Sequence, residues 1–93
     1  MEDIRYSGPA RILDRTGVMF EIGKAELTAS EDRIFWSGAI RVYEGSPIGS
    51  KSLTSLVELE DGSRALAQVG PMIAPLGQSF ISVKITGIDR APF

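Results

Sequence analysis

A chain of 93 residues has room for one domain (1–93) and a single modest core, because a chain of this size buries roughly 60–70% of its unfolded surface. Hydrophobic residues make up 43%, too many for a disordered chain, and the absence of cysteine excludes disulfide and thiolate–metal frameworks. There is no histidine, which removes the commonest general base and metal ligand, and a net charge of −2 argues against the basic field that nucleic-acid binding requires.

In chain order the pattern predicts strands. The opening "MEDIRYSGPARIL" is acidic at its start and lacks the apolar core of a signal peptide. Gly8-Pro9 reads as a breaker, so the first strand is expected over Ala10–Leu13, ended by a tight turn at Asp14–Gly17. Val18–Ala29 is the second strand. Val18, Phe20 and Ile22 share one face, and beyond Gly23 the apolar set moves to Ala25 and Leu27 on the other parity, the signature of a bulge or barrel corner at the glycine. After a turn at Ser30–Arg33, Ile34–Tyr43 is the clearest strand: Ile34, Trp36, Ile40 and Val42 face one way, with a notch at Gly38 beside the tryptophan. Phe35, Arg41 and Tyr43 face the other way.

Ser52–Val69 carries the strongest hairpin signal, two alternating segments about Asp61-Gly62. A two-residue loop there pairs Leu59 with Arg64, Glu58 with Ala65 and Val57 with Leu66. Glu58, Glu60 and Asp61 then occupy a solvated outer face. Gly70–Gly77, with two prolines and two glycines, reads as a loop unusually rich in apolar side chains (Met72, Ile73, Leu76). Gln78–Ile88 is the last strand, with Ile81, Val83 and Ile85 on one face, and Asp89–Phe93 is a tail. No window carries a helical period. The expected fold is therefore all-β, a small antiparallel barrel, alternatively a sandwich, of about six strands; closure into a barrel would remove exposed edges.

The connection "EGSPIGSKSL" (Glu44–Leu53) approaches the spelling of a phosphate-binding P-loop. Only three residues separate Gly45 from Gly49, Ser50 intrudes before Lys51, and a strand follows where that motif needs the N-terminus of a helix. It reads as a strand connection. Together with "RILDR" it resembles the signature of PilZ domains, R-x-x-x-R followed after a gap by [DN]-x-S-x-x-G, with Glu44 standing where that family has Asp or Asn. PilZ domains are small β-barrels that bind cyclic diguanylate. The resemblance covers about the first half of the chain. It implies a ligand site at Arg11, Arg15, Ser46 and Gly49, where arginine forks grip phosphate and stack on guanine.

No serine has a histidine to activate it, and Lys51, beside Ser50 and Ser52, lies in a polar loop that leaves it solvated. The expected function is accordingly non-enzymatic: a protein-interaction or structural module, self-associating as a homodimer or binding another protein. Phe35, Tyr43, Met72, Ile73 and Leu76 are the expected interface. A PilZ-like effector domain that binds a cyclic dinucleotide is the alternative. No metal, cofactor, nucleic acid or membrane is expected, and a cytoplasmic location is the default for such a chain.

Overall fold

The structure, a computed structural model, describes residues 4–43, 53–73 and 80–93. They form six strands: β1 (Ile4–Leu13), β2 (Met19–Ala29), β3 (Trp36–Tyr43), β4 (Leu53–Leu59), β5 (Arg64–Ile73) and β6 (Phe80–Gly87). Each pairs antiparallel with its neighbours, and the sheet closes into a barrel in the order β1-β2-β3-β6-β5-β4. Two three-stranded meanders, β1–β2–β3 and β4–β5–β6, meet along β3–β6 and β1–β4. The barrel expected from the alternation is the one observed, and no helix occurs among the described residues.

Alternation builds the core. Ile12, Leu27, Ile40, Val42, Val57, Val69, Val83 and Ile85 project inward and are fully buried. Burying each such side chain is worth about 1.5–3 kcal/mol. Trp36 joins them at one end, with its indole Nε1–H donated to the carbonyl of Asp89 (2.6 Å), the acceptor that a buried indole requires.

Several local expectations are overturned. β1 starts at Ile4 and runs through Gly8-Pro9, because pairing with β4 begins only at Ala10 and Pro9 lies on a stretch that is an edge on that side. No parity switch occurs at Gly23. Ile22 is exposed on the same face as Lys24 and Glu26, and the irregularity sits at Phe20, which β2 inserts opposite the Ile12–Leu13 step. Val18 and Ile22 are therefore outside the core. Ile34 is also exposed, since β3 begins two residues later. The space beside the tryptophan belongs to Gly87, where a Cβ would fall 2.1 Å from the indole nitrogen; Gly38 instead lets β3 approach the backbone of Glu26. Gly70–Ile73 continues β5 as strand, with a register shift against β6 between Val69 and Met72 that takes up Gly70 and Pro71.

The β4–β5 hairpin turns at the expected dipeptide but in a register one residue away. The amide of Gly62 donates to the carbonyl of Leu59 (2.9 Å), and the amide of Leu59 to that of Ser63 (2.9 Å). This is a three-residue loop ending in a glycine at φ +90°, and it pairs Glu58 with Arg64 and Val57 with Ala65. The β1–β2 turn repeats it: Gly17 N–H donates to Asp14 O (2.9 Å), with Gly17 at φ +93°.

Candidate functional site

The displaced hairpin register creates the most polar cluster on the barrel. Arg11 on β1 lies opposite Glu58 on β4, which lies opposite Arg64 on β5, so three successive strands present a cation–anion–cation row. Arg64 Nε donates to Glu58 Oε2 at 2.6 Å and Arg11 Nη1 to Glu58 Oε1 at 3.3 Å. Glu58 is on the outer face, as expected, but it is not solvated: its side chain is 11% exposed beneath two arginines that remain 57% and 50% exposed. Two guanidiniums over one carboxylate satisfy both its oxygens and leave one positive charge in excess. The expected pairing of Glu58 with Ala65 hid this row, and only the three-residue loop reveals it.

The row reaches the β1–β2 turn, where Arg15 is exposed. Arg64 Nη1 lies 3.8 Å from the point where a Cβ on Gly17 would sit, so its guanidinium extends over the glycine of that turn. The turn's own acid is already engaged. Asp14 Oδ1 accepts from Thr16 N–H (2.9 Å), Thr16 Oγ1–H (2.6 Å) and Val18 N–H (2.9 Å), and these bonds, the Thr16 hydroxyl foremost, hold its pKa below the ordinary value. On the other side of Arg11 is a small depression of about 100 Å³ lined in part by Pro9, Ile22, Leu59 and Glu60. Ser46 and Gly49, the other half of the expected ligand site, lie outside the described residues.

Among the described residues of the expected interface, Phe35 lies apart from Tyr43, Met72 and Ile73. Phe35 stands just before β3 and is 75% exposed, whereas Tyr43 closes the far end of the same strand and pairs with Phe80. At 3.3 Å per residue these positions are about 26 Å apart. Met72 and Ile73 pair with Val83 and Ser82, toward the Tyr43 end. Leu76 lies outside the described residues.

At the Phe35 end is an open depression of about 430 Å³, lined by Phe35, Trp36, Gly87 and the hydroxyl-bearing Thr28, Ser37 and Thr86, among others. Ile34 and Ile88, 58% and 51% exposed, flank Phe35 and Gly87 in sequence. The tail, read from sequence as a mere extension, closes this end of the barrel. The Phe93 ring stands edge-on to Trp36 (centroids 6.2 Å) and tilted against Tyr6 (6.0 Å). Arg33, at φ +62°, donates its Nε–H to Phe93 O (2.8 Å) and accepts from Ala91 N–H (2.9 Å) at its own carbonyl. The aromatic type of Phe93 was the one sequence signal for this role.

Comparison with protein-family models, curated proteins and solved structures found no match. Among the described residues no three His, Cys, Asp or Glu side chains gather where they could hold a metal ion, and no helix is long and apolar enough to cross a membrane. The described surface carries an arginine-rich row on one face and an apolar, aromatic rim at one end.

Proposed function

We propose that this domain is a non-enzymatic interaction module that self-associates through the end of the barrel carrying Phe35. The observation that carries this reading is the exposure of Phe35, at 75%, next to Ile34 and near Ile88 on the same rim. A side chain of that size left in water forgoes about 1.5–3 kcal/mol, and a two-fold dimer is the commonest way to recover it. Sedimentation equilibrium at micromolar concentration tests this: the wild type is expected to be a dimer and Phe35→Glu a folded monomer. A wild-type chain that stays monomeric at hundreds of micromolar refutes it.

A second reading is supported by the arginines. A PilZ-like effector domain would bind a cyclic dinucleotide through Arg11 and Arg15, and both are exposed near the same turn. The closed barrel agrees in class with what that resemblance implies. The engagement of Arg11 by Glu58 is the feature that such a ligand would have to accommodate. Isothermal titration with cyclic diguanylate separates the readings, since micromolar affinity lost in Arg11→Ala and Arg15→Ala would favour the second.

A further inference from the structure

We propose that Arg11 and Arg64 form a clip for one phosphate group, presented by Glu58. The clip shares Arg11 with the second reading but rests on Arg64 and Glu58, which that reading does not use. Its geometry has three parts. First, Glu58 takes only one N–H from each arginine, through Arg64 Nε and Arg11 Nη1, and the remaining guanidinium N–H groups make no hydrogen bond within the described residues. A guanidinium carries five N–H donors in a planar fork, so each keeps an edge for a second oxyanion. Second, among the described residues no acid other than Glu58 pairs with either arginine. Third, Gly17 has no side chain to obstruct Arg64, whose Nη1 reaches over the β1–β2 turn.

Phosphate is the ligand class because two forks set on either side of one carboxylate offer several donors to a compact group with several oxygens. Glu58 is a positioning residue: it touches no ligand and aims both forks.

The test is a titration of the full chain with pyrophosphate, followed through the arginine Nε–H resonances. Saturable shifts of the Arg11 and Arg64 signals are expected. Affinity is expected to fall about tenfold or more in Arg11→Gln, Arg64→Gln and Arg64→Lys, the last because lysine keeps the charge and loses the fork. The remote Arg5→Gln is expected to bind as the wild type does, with circular dichroism confirming that each variant is folded. Glu58→Gln is expected to bind less tightly even though it gains a positive charge, an outcome that charge alone predicts in the opposite direction. The proposal is overturned by the absence of saturable shifts up to tens of millimolar, by equal saturation with acetate, by wild-type affinity in Arg64→Lys, or by a loss in Arg5→Gln as large as that in Arg64→Gln. Tighter binding by Glu58→Gln overturns the role given to Glu58. Loss in Arg64→Gln with retention in Arg5→Gln supports the clip even where cyclic diguanylate itself does not bind.

Discussion

Replacing Gly87 with alanine should be among the most damaging small changes available to this barrel. The new Cβ would lie 2.1 Å from Trp36 Nε1, 2.3 Å from Cδ1 and 2.4 Å from Cε2. Ordinary carbon contacts sit near 3.5 Å, so the indole has to move by more than about 1 Å. It has nowhere to go without loss. Its Nε1–H is bound to Asp89 O at 2.6 Å, and its face meets the Phe93 ring edge-on. Overpacking of a filled core costs about 1–3 kcal/mol, the hydrogen bond about 0.5–1.5 and the aromatic pair about 0.5–1.5. The backbone at Gly87 is not in the positive-φ region, so alanine also stabilises by about 0.4–1 kcal/mol through the unfolded chain. The net expectation is a loss of about 1–6 kcal/mol, centred near 3, which at that centre is about 12–24 °C in Tm for a domain of this size. Urea denaturation followed by the fluorescence of the one tryptophan measures it. Adding Trp36→Phe should recover part of the loss, a coupling that double-mutant analysis by circular dichroism would report. A Gly87→Ala variant within about 0.5 kcal/mol of the wild type would refute the packing argument.

Gly62→Val should destabilise by about 1–3 kcal/mol, because φ +90° at the end of the turn is strained for a β-branched residue, while nothing nearby obstructs the side chain; an unchanged Tm would contradict the turn assignment. Phe93→Ala should cost about 1–2 kcal/mol through its half-buried contacts with Tyr6 and Trp36 and should raise the solvent quenching of Trp36. Asp14, Asp32 and Asp61 all titrate below the ordinary 3.8, held chiefly by the Thr16 hydroxyl, the Ser30 hydroxyl and the Ser63 amide respectively. Because the folded pKa is the lower one, the unfolded chain binds more protons in this range; the stabilisation is complete above the unfolded value and is lost as pH falls through the folded value. Stability should therefore decline below about pH 4, and the decline should flatten in Asp14→Asn, as acid-range urea melts would show.

Much of the barrel was legible along the chain. Alternation of Ile40 and Val42 and of Ile81, Val83 and Ile85 specified strands and their inward faces, because a side-chain period of two is a local property of the pleat. The segments about Asp61-Gly62 were legible as strands, but their expected pairing put Leu66 rather than Ala65 on the face of Val57. Trp36 as a core residue with one acceptor followed from its size and its single N–H. The expected ligand and interface residues were less legible as sites. Arg11 came with half a pattern, and Phe35 and Tyr43 shared a parity without sharing an end of the barrel.

What the sequence by itself determined is thus the number of strands, the inward faces of β3 and β6 and the places of the tight turns, each a consequence of steric preference and burial within a few residues. The tertiary structure decided what meets what. A hairpin loop of three residues in place of two moved Glu58 opposite Arg64, and closure of β4 on β1 brought Arg11 to the other side of it. The tail became an end cap only because barrel closure left Tyr6, Trp36 and Arg33 around one opening. Register and closure depend on contacts between residues tens of positions apart. No local preference encodes them, because a shift of one residue leaves every strand propensity intact while changing every cross-strand partner.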